Sequence, residues 1–121
     1  MKKTMNRAFT LIEIMIVVLI IGILLAIAVP NFVRAREASR AKACVANLKQ
    51  IDSAKEQWAM DNRISSGGAA PAITVLVGSA GYIKSTPTCP SSGTYTVNAV
   101  GTNPVCSISG TAGDPLAHLL P

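Results

Sequence analysis

The first third of the chain contains one uninterrupted apolar stretch. Residues 11–29 read LIEIMIVVLIIGILLAIAV, and Glu13 is the only one of these nineteen residues with a polar side chain. As an α-helix they would rise about 28 Å, close to the roughly 30 Å hydrocarbon core of a bilayer. The pattern therefore predicts a membrane-spanning helix with a carboxylate near its start.

The stretch after Pro30 is amphipathic and rich in good helix formers. Its apolar residues recur at helical spacing, and charged or amide side chains occupy the opposite face. The predicted inner face contains Ala41, Cys44, Val45, Leu48, Ile51 and Trp58, and the outer face contains Lys42, Lys49, Gln50 and Glu56. Together the two stretches predict one helix over residues 9–61, on the order of 80 Å long. A domain of this size cannot bury such a helix, so its first half needs lipid or sister helices.

The rest of the chain is rich in turn-forming residues. Residues 65–72 (SSGGAAPA) predict a loop that ends the helix. Strand-like segments follow at residues 73–77, 82–84 and 94–97, and the first of them fits a short helix equally well. We therefore expect an α+β fold, in which a small antiparallel sheet of two to four strands packs against the amphipathic half of the long helix.

Gly22 and Pro30 are the weak points of the predicted helix. Glycine lowers helix propensity, and proline removes one backbone hydrogen bond and crowds the preceding turn. The segment between them is therefore where the helix could kink, stretch or melt locally. A simple bend at Pro30 fits the isolated chain equally well.

The basic charge of the chain is concentrated at its N-terminus. The sequence has 11 Lys and Arg against 6 Asp and Glu, a formal charge of +5, and Lys2, Lys3 and Arg7 all precede the apolar stretch. Without those three the balance is 8 − 6 = +2, which is no strong signal for nucleic-acid binding. By the positive-inside rule, the N-terminus stays in the cytoplasm and the C-terminal part lies outside.

Three interpretations of the apolar stretch compete. An ordinary secretory signal would use Ala26-Ile27-Ala28 as its cleavage site and release a soluble domain that begins at Val29. A plain single-pass anchor would never be processed. Neither explains Glu13, because a carboxylate costs about 2.5–3.5 kcal/mol at the middle of a bilayer and needs a cationic partner. A glutamate near a helix start can also simply extend its carboxylate to the interface.

The third interpretation rests on residues 7–13, which read RAFTLIE. They resemble the type III signal of type IV pilins and pseudopilins, and the likeness extends to residue 30. The resemblance implies that a prepilin peptidase cuts between Ala8 and Phe9 on the cytoplasmic side and methylates the new amine of Phe9. The family usually has glycine before the cut, whereas this sequence has Ala8. Glu13 would pair with the Phe9 amine of a neighbouring subunit, and a low-dielectric helix bundle would strengthen that attraction.

The same resemblance implies a subunit that is stored in a bacterial inner membrane and then polymerised. Gly22 and Pro30 fall where the family carries its helix-loosening residues, and there the helix can unwind in the assembled fibre. The implied partners are identical or related pilin subunits, the prepilin peptidase, and the pilus assembly platform with its ATPase. The predicted divisions are a leader at 1–8, a transmembrane assembly helix at 9–30, an amphipathic helix at 31–64, and a loop, sheet and tail region at 65–121.

Within this family a pilin, which forms an extracellular pilus, is favoured over a type II secretion pseudopilin, which forms a periplasm-spanning pseudopilus. Major pseudopilins tend to bind calcium through clustered C-terminal acids, whereas Asp114 is the only acid after Asp61 here. A disulfide-closed C-terminal segment also favours a pilin. An electron-conducting fibre would need closely spaced aromatic residues, and the five present are scattered: Phe9, Phe32, Trp58, Tyr82 and Tyr95.

Three cysteines in a chain with an export-type start favour an oxidising compartment and one disulfide. Cys89 and Cys106 bracket a predicted strand and turns, and a bond between them would contribute about 3 kcal/mol by loop closure. Cys44 lies on the apolar face of the helix and would then be a buried thiol. A bond from Cys44 to either of the others stays open, because connectivity cannot be read from sequence.

The sequence predicts no enzyme, no cofactor and no metal site. The cysteines lack C-x-x-C spacing, and His118, the only histidine, stands alone in the C-terminal tail, where we expect it on the surface. Neither a Ser-His-Asp set nor a glycine-rich phosphate-binding loop can be assembled. Asp52 and Glu56 share a helix face, but with Lys49 and Lys55 nearby they fit a solvated charge pattern better than acid–base chemistry.

Overall fold

The structure is a computed structural model that describes residues 8–110 and 114–121. Lys2, Lys3 and Arg7, on which the predicted membrane orientation depends, lie outside the described residues. The elements in chain order are helix α1 (Leu11–Asp61), helix α2 (Ile73–Leu76), strand β1 (Tyr95–Thr96) and strand β2 (Val105–Cys106). This long N-terminal helix with a small antiparallel sheet confirms the predicted α+β fold class. The chain forms two compact units, one that ends at Ala35 and one that covers Arg36–Pro121.

The first unit consists mainly of the apolar part of α1. Its large apolar side chains between Leu11 and Val33 are each about half exposed or more, and Val17, at 49%, is the least exposed of them. No residue in the most apolar part of the helix is buried. By length and composition this helix can cross a membrane, as predicted. It continues without interruption through Gly22 and Pro30, so melting between them stays a prediction about the assembled fibre.

The second unit contains two clusters of buried apolar residues. One consists of Ile51, Ala54, Leu76, Ile83 and Val97, with half-buried aromatic and aliphatic side chains around it. The other consists of Cys44, Leu48, Cys89 and Cys106. The predicted inner face of the amphipathic helix is confirmed: Ala41, Cys44, Leu48 and Ile51 are buried, and Val45 and Trp58 are half-buried.

The sheet is a short antiparallel pair in which Tyr95 of β1 lies opposite Cys106 of β2. Its two strands fall within the predicted two to four, and β1 lies inside the predicted segment 94–97. Residues 73–76 form α2, the helical alternative for that segment. The predicted strand at 82–84 is wrong, because Ile83 makes only an isolated bridge, exchanging backbone hydrogen bonds with Leu76 and Gly78 across a tight turn.

Helix α1 ends at Asp61, the residue at which the sequence pattern predicts its end. Arg63 adopts a left-handed φ of 55°, and the N–H of Ile64 turns back to the carbonyl of Ala59 at 2.8 Å. A left-handed residue followed by such a backward hydrogen bond satisfies the last carbonyls of a helix and stops it.

The prediction that Lys55 is solvated is wrong. Its side chain is fully buried, and its ammonium donates hydrogen bonds to the carbonyl oxygens of Val97 (3.4 Å) and Thr102. Asp52 Oδ1 lies 3.2 Å away. The loop after β1 has carbonyls without strand partners, and a long lysine side chain reaches under the loop to satisfy them.

Candidate functional site

The start of α1 places Thr10 and Glu13 in reciprocal hydrogen bonds. The backbone N–H of Thr10 donates to Glu13 Oε2 at 3.1 Å, and the backbone N–H of Glu13 donates to Thr10 Oγ1 at 3.4 Å. The Thr10 hydroxyl also donates to Glu13 Oε2 at 3.3 Å. This is a capping box, which satisfies two backbone donors that a helix otherwise leaves without acceptors.

Sequence reasoning missed this second role of Glu13. The signal was present, because a threonine followed three residues later by glutamate, ahead of an apolar run, is the pattern of a capping box. A carboxylate in the first turn also lies at the positive end of the helix dipole. Glu13 therefore stabilises the helix start within one chain, whatever it does between chains.

Ala8 and Phe9 precede the helix and are exposed, Phe9 at 82%. Glu13 is exposed too, and Leu11, Ile12 and Ile14 around it expose 81%, 65% and 51% of their surface. The backbone at the predicted cleavage bond is therefore accessible, and it lies next to a helix whose exposed surface is apolar. Any packing of this surface against lipid or other helices carries the Glu13 carboxylate into a dry environment, where a cationic partner offsets its desolvation. The pairing of Glu13 with Phe9 of another subunit stays a prediction.

The three cysteines meet in the second unit. Cys44 is buried, as predicted, and so are Cys89 and Cys106. All three are free thiols in the structure, and their sulfur atoms lie within 4.8 Å of one another. Since all three sulfurs are near neighbours, this arrangement does not single out one pair, and the Cys89–Cys106 disulfide stays a prediction.

Cys44 and Cys89 lie in different environments. Burial raises the pKa of Cys44 to about 12, although a hydrogen bond from the Tyr95 hydroxyl opposes this. Burial also acts to raise the pKa of Cys89, but the backbone N–H groups of Ser91 and Gly93 hydrogen-bond to its sulfur and bring the pKa below its ordinary value. The loop that follows Cys89 therefore favours a thiolate there.

The prediction that His118 lies on the surface is wrong. Its side chain is 5% exposed, and its Nδ1 lies 3.6 Å from Cys89 Sγ. The C-terminal tail folds back over the cysteine cluster, where Leu120 packs against the same buried residues. The tail thus adds an imidazole to three thiols, a combination that spacing along the sequence did not indicate.

The N-terminal segment of the chain is similar to known proteins. Residues 3–29 match the model of the prokaryotic N-terminal methylation motif. Over 53 residues the chain is 51% identical to the type IV major pilin protein PilA of Myxococcus xanthus, a match that covers 44% of this chain and 24% of that protein. No solved structure matches the chain.

Two further relatives match more of their own length. The type IV wide pilus major component PilA4 of Thermus thermophilus is 31% identical over 107 residues, which is 88% of this chain and 75% of that protein. The type II secretion system core protein G of Escherichia coli is 31% identical over 96 residues, which is 70% of this chain and 66% of that protein. With the methylation motif, the capped apolar helix and this extended similarity, the chain belongs to the type IV pilin and pseudopilin family.

Proposed function

We propose that this chain is a structural subunit of a type IV pilus-like filament. The observation that carries the proposal is the exposed apolar helix of residues 11–33, which begins beside an accessible Ala8–Phe9 bond and holds one carboxylate, Glu13, in its first turn. The subunit waits in the inner membrane with its N-terminus in the cytoplasm. The prepilin peptidase then cuts before Phe9 and methylates it. No catalytic activity is assigned to the chain.

Polymerisation uses the apolar surface of α1. About half or more of each large side chain between Leu11 and Val33 is exposed, so this surface must be covered by lipid before assembly and by sister helices afterwards. The transfer keeps the surface dry, and it therefore costs little hydrophobic free energy. Packing between helices and polar interactions then determine which arrangement forms.

Glu13 sets the register of that arrangement. In the isolated chain its carboxylate is hydrogen-bonded to Thr10, and after cleavage a neighbouring subunit offers the cationic amine of Phe9. An ion pair inside a low-dielectric bundle is stronger than one in water, and leaving either charge alone there is penalised. Each incoming subunit is therefore drawn to the position that joins its Glu13 to an adjacent Phe9.

The assembly platform and its ATPase supply the work of extracting the helix from the membrane. Gly22 and Pro30 let the helix loosen between them as it packs in the fibre. The finished filament consists of copies of this chain or of this chain with related subunits, and it lies outside the cell.

Two substitutions separate the capping role of Glu13 from its assembly role. Glu13→Gln keeps an oxygen that can accept the Thr10 N–H, because glutamine also completes a capping box, but it removes the charge. Thr10→Ala removes the capping hydroxyl and keeps the charge. We expect Glu13→Gln to insert in the membrane normally and to lose filaments, and Thr10→Ala to retain them.

Electron microscopy of cells that express each variant measures filament number, and immunoblots of membrane fractions control for subunit level. Normal filaments from Glu13→Gln would contradict the assembly role of the charge. Intact mass spectrometry of the membrane form tests processing separately: we expect a chain that begins with methylated Phe9. A chain that begins at Val29 would indicate a secreted soluble domain, and one that keeps Met1 would indicate a plain anchor.

A second candidate is a pseudopilin of type II secretion, favoured by the similarity to core protein G over 70% of this chain. The two functions differ in their products. Deletion of the gene should abolish surface filaments if the chain is a pilin, and should block secretion of exoproteins without loss of surface filaments if it is a pseudopilin. The single acid after Asp61, Asp114, supports the pilin, because a calcium site needs several oxygen ligands.

A further inference from the structure

Four buried side chains of the second unit bring metal-binding atoms together. Cys44 comes from α1, Cys89 from the loop before β1, Cys106 from the end of β2, and His118 from the C-terminal tail. Their sulfur and ring-nitrogen atoms all lie within 4.8 Å of one another, and the side chains are at most 7% exposed. We propose that these four residues bind one Zn²⁺ ion in a closed, structural site.

The distances suit a tetrahedral ion. Zn–S bonds of about 2.3 Å and a Zn–N bond of about 2.05 Å place sulfurs about 3.8 Å apart and a sulfur about 3.6 Å from the nitrogen. Cys89 Sγ and His118 Nδ1 are already 3.6 Å apart. The other pairs lie within 4.8 Å, so no sulfur–sulfur pair exceeds tetrahedral spacing by more than about 1.0 Å and no sulfur–nitrogen pair by more than about 1.2 Å. Small side-chain rotations achieve such a shift.

The donor set is complete. Three thiolates and one imidazole form a Cys₃His set, which fills all four positions of structural zinc sites. On binding, the three thiols release their protons to solvent, the imidazole stays neutral, and the ion with three thiolates carries a net charge of −1. A disulfide would use two of the cysteines and leave the third thiol buried beside it. Zinc uses all three, which accounts for their odd number.

Backbone and side-chain donors already face the sulfurs. The N–H groups of Ser91 and Gly93 hydrogen-bond to Cys89, and the Tyr95 hydroxyl hydrogen-bonds to Cys44. Hydrogen bonds of this kind stabilise thiolates and orient metal ligands. The fold itself places these donors beside the sulfurs, so the orientation of the ligands does not depend on the metal alone.

Gly93 shows how closely the loop approaches the cluster. A Cβ at this position would lie 2.5 Å from Cys106 Sγ and 3.2 Å from Cys89 Sγ. Any larger residue would therefore push two of the sulfurs away. Position 93 therefore requires glycine, because the sulfurs leave no room for a side chain. A bound ion would connect α1, the two strands and the C-terminal tail.

The first test uses the unmodified full chain, extracted from membranes in detergent without reductant. We expect about one zinc per chain by elemental analysis after desalting, and three thiols that resist alkylation until a chelator is added. Exchange of Zn²⁺ for Co²⁺ should produce visible absorption bands of tetrahedral cobalt together with sulfur-to-metal charge transfer. The proposal would be overturned in favour of a disulfide if the zinc content did not exceed background and the intact mass were two hydrogens below that of the fully reduced chain.

Variants then identify the ligands by competition with a chromophoric chelator. Cys44→Ser, Cys106→Ser and His118→Ala should each lose stoichiometric zinc, whereas His118→Cys should retain it, because four thiolates also bind zinc tetrahedrally. Gly93→Ala keeps every ligand and should lower zinc affinity about 10–100-fold, the range for changes beside the ligands. Gly22→Ala, where a Cβ meets nothing within 4 Å, is the matched control.

Unchanged zinc affinity in Cys44→Ser or Cys106→Ser would also overturn the site. These measurements need no filament, so they can fail or succeed independently of the proposed function.

Discussion

Lys55 of helix α1 forms hydrogen bonds to the loop between β1 and β2. Its buried ammonium donates to the carbonyls of Val97 and Thr102 and lies 3.2 Å from Asp52 Oδ1. In Lys55→Met the apolar part of the side chain is largely kept, but both carbonyls lose their donor. Each buried acceptor left without a partner costs about 1–3 kcal/mol, and removing the ammonium recovers part of its desolvation free energy. We expect a net loss of about 2 kcal/mol in the free energy of unfolding.

Trp58 makes this loss measurable, because it is the only tryptophan and packs against the core cluster of the second unit. Its fluorescence during urea unfolding of the full chain in detergent reports on that unit. With a denaturant slope of about 2 kcal/mol per molar urea, Lys55→Met should lower the midpoint by about 1 M. Lys49→Met, at an exposed position of the same helix, should change stability by no more than about 0.5 kcal/mol. A Lys55→Met midpoint equal to or above that of the parent would refute the reasoning, since burying the ammonium would then cost more than its contacts contribute.

Further predictions concern the core and the titration of the tyrosines. Ile51→Ala removes a fully buried side chain of the core cluster and should lower the free energy of unfolding by about 2–5 kcal/mol. Met60→Ala, at a 71% exposed position, should change that free energy by no more than about 0.5 kcal/mol. Urea unfolding measures both changes. The Tyr82 hydroxyl donates to the Asp61 carboxylate, which raises the pKa of Tyr82 above its ordinary value of 10.0. The stability from this contact is therefore present below pH 10.0 and is lost as the pH rises through the raised pKa. In an ultraviolet titration, Asp61→Asn should lower the midpoint of Tyr82 and leave that of Tyr95, whose pKa is raised mainly by burial, unchanged. An unchanged Tyr82 midpoint in Asp61→Asn would contradict the assigned cause.

The candidate assembly site stays a prediction, and it can be proposed from the sequence because its parts are neighbours along the chain. Ala8, Phe9 and Glu13 lie within six residues, and the geometry of one helix start determines where they lie relative to one another. Even the capping box, which we missed, needs only a threonine three residues before a glutamate. The sequence prediction names only a partner in another subunit for this carboxylate, whereas the backbone N–H of Thr10 in the same chain also donates to it.

The C-terminal region was harder to predict for the opposite reason. The segments at 73–77 and 82–84 are short apolar runs that fit a helix or a strand equally well by periodicity. Their structure depends on the tight turn at Gly78, which lets Ile83 pair with residues beside α2. The sequence alone places Lys55 in solvent, where lysines usually lie. The loop carbonyls that accept its hydrogen bonds are 42 and 47 residues away in sequence, so no local pattern indicates that it is buried.

By itself, the sequence determined the long helix α1, its apolar first half, its buried inner face from Ala41 to Ile51, and the family to which the chain belongs. These features depend on composition and on periods of a few residues, which local backbone geometry converts directly into structure. Only the tertiary structure decided that Cys44, Cys89, Cys106 and His118 meet. These four residues are not spaced along the sequence in any recognisable metal-binding pattern. Packing of the two strands and the C-terminal tail against α1 brings their ligand atoms within 4.8 Å of one another. These segments converge because that buries the apolar surface around the four residues.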